Sequence, residues 1–537
     1  MKTLKNLQIV IVAIMLLFAS CKSTSADNNL AANIPDNAIF VMDVKAKQIV
    51  DKGELNKFKE FYLYNISRGE IESENSKLAT MFDEFLTDTR SSGLNLDKFY
   101  MYGIQRNENN FNFVVLCKMD NIKTFEAKFR EMMSIDGGNE EPKDKGSYKQ
   151  LNLGYDGNIL WNNDLLYFIN GTYNWDDDND TDYSYLFKGE NKNILSNSEF
   201  ASFDKKNHDF GFWMSYNELL KIGDDDVVNM LNSMLVLDAS NMYVEGTLNF
   251  EKGEAMAKLA VSPKSKIDEW LKQYPIIRKD FDNDLLKYFP ENAFTVLKVS
   301  LNVQEYIRLI NEQINKTSSI YSNNYYNPMD EFSEILNNDI FKTISSGLVG
   351  DVVMSIYGFQ DGMIPTPLGS IIFNVKNKEP FDVIIKSLPS DILKKQDNHY
   401  AIMAGPLAIG YLAFNNNKIF ATTDSKALDA FLSNGFDKHL GNSEYAANLK
   451  NDIFYWNTNI DLASYPDHIK MLLRELMGRN EYNTFESFIN IYKAIEYRGT
   501  KDSEVIFSIK MQNTSNNSLK VILKNIDENV SKLIGNY

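Results

Sequence analysis

The sequence predicts an α+β fold that is internally duplicated, each half a largely antiparallel sheet with helices packed on one face. Three observations predict it. Short apolar stretches alternate with period two between turn residues, which is how hairpin strands read. Helical periodicity is interspersed with them, as in Val303, Tyr306, Ile307, Ile310 and Ile314. The order of these elements then recurs about 255 residues downstream, the distance from Pro35 to Pro290.

The recurrence is followed element by element. Pro35-Asp-Asn-Ala-Ile-Phe-Val-Met-Asp-Val44 is echoed by Pro290-Glu-Asn-Ala-Phe-Thr-Val-Leu-Lys-Val299, a Pro-acid-Asn turn feeding an alternating strand each time. Ser91-Ser-Gly-Leu94 with Asp97 matches Ser345-Ser-Gly-Leu348 with Asp351, and Tyr102-Gly-Ile-Gln105 matches Tyr357-Gly-Phe-Gln360. The strand Phe113-Val-Val-Leu-Cys-Lys-Met119 matches Ile371-Ile-Phe-Asn-Val375 and sets Cys117 against Phe373. Trp161-Asn-Asn-Asp164 and Phe414-Asn-Asn-Asn417 read as hairpin turns. Asn197-Ser-Glu-Phe-Ala201 and Asn442-Ser-Glu-Tyr-Ala446 each open a short helix. Phe210-Gly-Phe-Trp213 aligns with Ile453-Phe-Tyr-Trp456, tryptophan on tryptophan. Met242 to Val261 and Tyr492 to Met511 close the halves as antiparallel hairpins.

The N-terminus reads as an export signal. Lys2 and Lys5 supply the positive region, Leu7 to Phe18 an apolar run broken only by Gln8, and Ala19-Ser20 the small residues before Cys21. The run is shorter than the roughly 20 residues a spanning helix needs. Leu17-Phe-Ala-Ser-Cys21 resembles a bacterial lipobox, whose cysteine is lipidated and becomes the new N-terminus; Phe18 departs from the usual leucine. The small polar residues that follow suit a flexible tether. The expected organisation is 1–20 signal peptide, 21–32 lipidated cysteine and tether, 33–263 first repeat, 264–287 linker and 288–537 second repeat.

Composition limits the partners. The formal charge of −17 becomes −19 once Lys2 and Lys5 leave with the signal, and so acidic a body repels phosphate backbones and anionic lipid. A hydrophobic content of 44% supports packed cores over nearly all of the mature chain. With Cys21 lipidated, Cys117 has no partner for a disulfide and reads as a core thiol on a strand face.

The lipobox, Ile34-Pro-Asp-Asn-Ala-Ile-Phe-Val-Met-Asp-Val44, the Gly93-Leu94/Asp97 element and Tyr102-Gly103 together resemble an uncharacterised family of Bacteroidetes lipoproteins defined by a domain of unknown function. The resemblance implies an outer-membrane lipoprotein and brings no activity and no catalytic residues.

Candidate chemistry is sparse. His208, His399, His439 and His468 stand singly among Asp and Lys in turn-like surroundings and read as surface residues; no spacing suits zinc. There is no nucleophile elbow and no phosphate-cradling glycine loop. Asp178, Asp180 and Asp182 have the alternate spacing of a calcium loop, without its Gly and Glu, and a solvated acidic loop is the plainer reading. Asp224-Asp-Asp226 reads as a helix N-terminus. Tyr321, Tyr325 and Tyr326, in an Asn-rich insertion, offer a candidate binding surface of apolar rings with polar tips, a loop tucking its rings onto neighbouring helices being the plainer reading, and Gly362-Met-Ile-Pro-Thr-Pro367 is a second exposed apolar loop. The expected function is a lipid-anchored, non-enzymatic envelope protein that binds a protein partner or scaffolds an outer-membrane complex, with no cofactor and no nucleic acid. The alternative is a ligand-binding lipoprotein holding sugar, peptide or lipid between its halves; a hydrolase ranks last.

Overall fold

The computed structural model describes residues 30–107, 110–135, 141–153, 157–171, 182–188, 192–221, 240–278, 280–320, 330–360 and 366–534. Among these, the chain forms two compact units. One comprises 30–221, 240–262 and 511–534; the other comprises 263–510.

The first unit carries β1 (Phe40–Val44), β2 (Leu94–Asn107), β3 (Asn110–Met119), β4 (Lys143–Asp144), β5 (Lys149–Asn152), β6 (Asn158–Trp161), β7 (Leu165–Gly171), β8 (Phe210–Ser215), β9 (Tyr243–Glu251) and β10 (Glu254–Ser262). Across the sheet they run β4-β5-β6-β7-β3-β2-β1-β8-β9-β10, every neighbour antiparallel. The second unit carries β11 (Thr295–Ser300), β12 (Leu348–Gln360), β13 (Thr366–Val375), β14 (Leu393–Lys395), β15 (His399–Ala404), β16 (Leu407–Asn415), β17 (Lys418–Thr422), β18 (Phe454–Asn459), β19 (Tyr492–Gly499) and β20 (Val505–Met511). Its order is β14-β15-β16-β17-β13-β12-β11-β18-β19-β20. Each strand of the second unit thus takes the place of the strand ten numbers before it.

Local chemistry explains the connections. Asn416 and Asn417 both adopt positive φ, 48° and 57°, which gives the β16–β17 turn the twist that antiparallel strands require. At the β6–β7 turn the Asn162 carboxamide accepts from the N–H groups of Asp164 and Leu165. Asn197 caps the helix Ser198–Asp204 by accepting from the N–H groups of Glu199 and Phe200.

Alternation along the strands divides the first unit's core in two. Val41, Tyr100, Tyr102, Val114 and Leu116 face one side, under residues 30–39 and the segment reaching Phe203. Val44, Phe99, Cys117 and Trp161 face the other, under helices Ala46–Gly53 and Ile122–Ile135. Trp161 presents its edge to Phe125 at 5.6 Å, a geometry worth about 0.5–1.5 kcal/mol beyond burial. Most of the first unit's helical residues lie on that second side; the short helix Ser198–Asp204 sits on the first.

Register corrects some of the residue matches. Val44 lies opposite Phe210, and its counterpart Val299 lies opposite Phe454. Trp213 therefore corresponds to Asn457, and Trp456 to Phe212: the tryptophans are one step out of register and face opposite sides of their sheets. A bulge moves Asp97 as well. From Asn95 to Tyr100 β2 advances five residues while β3 moves two, whereas from Leu348 to Val352 β12 advances four while β13 moves two. With Val44 opposite Phe99 and Val299 opposite Val352, Lys98 rather than Asp97 holds the position of Asp351.

Cys117 is buried, and burial pushes its thiol up to about 12. With Cys21 replaced by serine, the native protein at pH 8 is expected to resist an aromatic disulfide reagent and to become labelled only as denaturant unfolds the first unit. Fast labelling of the native protein would contradict the packed position.

Candidate functional site

The most strongly built polar cluster surrounds the central strand of each unit. β1 is paired on both edges, and Asp43, two residues after Val41, points with Val41 into the core side. Asp43 is 1% exposed and His208 0% exposed; the imidazole Nε2 lies 2.7 and 2.8 Å from the two carboxylate oxygens. This overturns the surface reading of His208: the residue precedes β8 at the point where Lys45 N–H donates to the Asp209 carbonyl, so the backbone delivers its ring to the strand. The ring stacks on Phe203 at 5.3 Å.

Lys98 reaches the same carboxylate at 3.6 Å and Asp204 at 2.8 Å, where the Tyr100 hydroxyl also donates at 2.6 Å. Beside them Lys52 pairs with buried Asp209 at 2.8 Å, and the Phe250 N–H donates to the same oxygen at 2.7 Å. Burial lowers the pKa of the neighbouring Lys45, with Asp43 opposing the shift. A Cβ on Gly211 would lie 1.9 Å from the Asp43 Oδ1 and 2.6 Å from the His208 Nε2, so only glycine leaves room for the pair.

In the second unit the charges at these positions are inverted. Lys298 replaces Asp43, Asp351 replaces Lys98, and Asp452 replaces His208, the last fixed by Ser300 N–H donating to the Ile453 carbonyl as Lys45 does to Asp209. Lys298, 1% exposed, donates to the Asp452 carbonyl and stands 4.5 Å over the Phe281 ring. Asp351 accepts from the Ser300 hydroxyl at 2.5 Å and the Asp282 N–H at 3.2 Å. Tyr455 takes the place of Gly211 in the ladder, and its hydroxyl donates to Glu496 at 3.0 Å.

A carboxylate–imidazole pair supplies two of the three members of a nucleophilic triad, yet both residues here are sealed from solvent and a ring covers the imidazole. The same place in the second unit holds the opposite charges. Both facts give the cluster a structural task, pinning the segment before β8 or β18 to the central strand. Among the described residues no group of His, Cys, Asp and Glu is placed to hold a metal.

The remaining candidates are dispersed. Cys21, Asp178, Asp180, Tyr321, Tyr325, Tyr326 and Asp224 to Asp226 lie outside the described residues. Asp182 accepts from the Ser184 N–H at 2.8 Å and so opens a helical turn; that bond holds its pKa below the usual carboxylate value. His439 Nδ1 accepts from the Gly441 N–H at 3.1 Å as a cap, and His399 lies beside Tyr411. Of the Gly362–Pro367 loop only Thr366 and Pro367 are described, both exposed.

The open apolar surface sits elsewhere. On helix Asp467–Met477, Leu476 is 74% exposed and Met471 58%, with Leu472 and Met477 also outside. At 100° per residue Met471, Leu472 and Leu476 fall within an arc of about 140°. Leu407, 69% exposed, and Ile409 project at the start of β16. Helical spacing of Ile469, Leu472, Leu473 and Leu476 was visible in the sequence, but a buried stripe and an exposed one share that pattern.

Residues 31–529 match the family described as a domain of unknown function (DUF4836). No curated protein and no solved structure matches the chain.

Two outcomes test the cluster. Gly211→Ala should destabilise the first unit by about 2–4 kcal/mol in denaturant melts, because its Cβ would displace the buried, hydrogen-bonded Asp43 and His208 side chains. Gly69→Ala, whose Cβ meets nothing within 4 Å inside helix Tyr62–Glu74, should instead stabilise by about 0.5–1 kcal/mol. Burial lowers Lys298 to about 8 against its ordinary 10.5, opposed by Asp351 and Asp452. Between these values the unfolded chain binds more protons, so stability should rise with pH from 8 to 10.5, by about 3 kcal/mol in total. Lys298→Met should abolish that rise; a wild-type and a variant curve of equal slope would refute it.

Proposed function

The chain belongs to the DUF4836 family, and we propose that it is a lipid-anchored, non-enzymatic protein of the bacterial cell envelope that docks a protein partner. The observation that carries this reading is the exposed apolar face of helix Asp467–Met477. A helix of a folded unit normally turns such residues inward; four large apolar side chains left outside on one short helix suit a partner's surface. The sealed Asp43–His208 pair supports a body without acid–base catalysis at that place. The lipobox ending at Cys21 and the polar tether after it support anchorage at the outer membrane in a bacterium of the Bacteroidetes. Among the described residues no helix is long and apolar enough to cross a membrane, so attachment in this reading falls to the lipid.

The internal repeat belongs to the same reading: two units of one strand order, joined in one chain, present two different surfaces from one scaffold.

The test uses the full-length lipoprotein in intact cells, with a photo-crosslinking side chain at position 476. A discrete adduct is expected with the wild-type face and its loss with Met471→Glu, while the melting temperature stays within a degree or two. An adduct that survives Met471→Glu, or none at all, rejects this docking face. Cys21→Ser should in parallel move the protein from the membrane fraction to the soluble one; retention in the membrane rejects the lipid anchor.

A further inference from the structure

The chain expected as a linker and the chain's last helix occupy equivalent places in opposite units. Pro263 directly follows β10 of the first unit, yet 263–278 belongs to the second; Met511 ends β20, yet 511–534 belongs to the first. Each closing segment leaves past the turn of the other unit's last hairpin. Lys264, opening helix Lys264–Gln273, pairs at 2.6 Å with Asp502, in the turn between β19 and β20. On the other exit, Met511 N–H donates to the Gly253 carbonyl and Gly253 N–H to the Asn516 carbonyl, in the turn between β9 and β10. Gly253 has φ 72° and a Cβ there would meet the Thr514 backbone at 2.9 Å, so the two strands of chain touch.

Both segments then land on the helix that follows the central strand. After β11 comes helix Val303–Ile320. Its Glu312 accepts from the Tyr274 hydroxyl at 2.5 Å, and its Arg308 donates to the Gln273 carbonyl at 2.8 Å and covers the Tyr274 ring at 4.8 Å. After β1 comes helix Ala46–Gly53. A Cβ on Gly53 would meet Leu523 at 3.0 Å and Leu519 at 3.3 Å of helix Ser518–Ile534, and Lys520 pairs with Glu54. The neighbouring helix Tyr62–Glu74 joins in, since the Leu63 N–H donates to Asp527 at 2.9 Å.

We infer that the chain is a fused pair of modules that have exchanged their closing helices, and that the surface over Gly53 is a docking site for the C-terminal helix. Each half of the sequence is incomplete without the other half's closing segment. Of the docked helix's buried residues Ser518, Asn525 and Asn529, Ser518 donates to the Glu254 carbonyl at 2.8 Å, which sets the register of the helix's first turn.

Amide hydrogen exchange on full-length variants tests the crossing. Leu523→Ala should speed exchange at least tenfold in helices Ala46–Gly53 and Tyr62–Glu74 and leave helix Val303–Ile320 unchanged. Tyr274→Ala should do the reverse, loosening Val303–Ile320 and sparing β9 and β10. Asp527→Ala, which removes one acceptor and no core atom, gives a milder form of the first pattern should Leu523→Ala fail to fold. Exchange that loosens instead in the unit whose hairpin precedes the mutated segment overturns the inference, as does exchange that changes nowhere.

Discussion

A charge in the middle of a strand paired on both edges has to be answered from the ends of neighbouring elements, and much of each unit is arranged to do so. The ladder takes the backbone groups of β1 and β11, leaving none to solvate Asp43 or Lys298. Unpaired, either charge would cost several kcal/mol. The answer in the first unit is an imidazole and an ammonium, in the second a carbonyl and two carboxylates. These contacts draw the segments before β8 and β18 down onto the sheet and set where those strands begin. Gly211 follows from the same demand, making room for a crowded carboxylate.

The inversion explains why the two halves keep one strand order while sharing few letters. Topology requires that the polar position be satisfied, and either sign can satisfy it if the partners change together. Partners that swap as a set are invisible to letter-by-letter matching and plain in the register.

The exchanged closing segments place a second constraint on the chain. Strand order alone would let each half finish its own helical layer; the path past the opposite hairpin turn commits the last helix to residues more than 450 positions away, as the Lys520–Glu54 and Leu63–Asp527 pairs display. Such long-range closure ties the folding of one unit to the completion of the other. A body closed in this way suits a protein whose work is to hold a surface steady, which is the function proposed for the helix bearing Leu476.

Much of the fold was legible because it rests on local rules. Period-two alternation, Asn turns and Asn caps are short-range chemistry, and the hairpins at 242–261 and 492–511 stand where alternation put them. The charge inside an apolar strand was legible too: Val41 and Asp43, like Val296 and Lys298, share a face by alternation. What answered it was not, because His208 lies 165 positions from Asp43 and its surroundings of Asp and Lys read as a surface turn. Register was also beyond reach: the β2 bulge exchanges Asp97 for Lys98, and Tyr102, opposite Val41, corresponds to Ser355, opposite Val296, rather than to Tyr357. The sequence by itself determined the α+β class, the hairpins and the order in which they recur. Only the tertiary structure decided which charges meet, which face Trp213 and Trp456 take, and to which unit each closing helix belongs. The reason is physical: alternation and capping act between neighbours in the chain, whereas register, ion pairing and helix docking are settled between residues that only folding brings together.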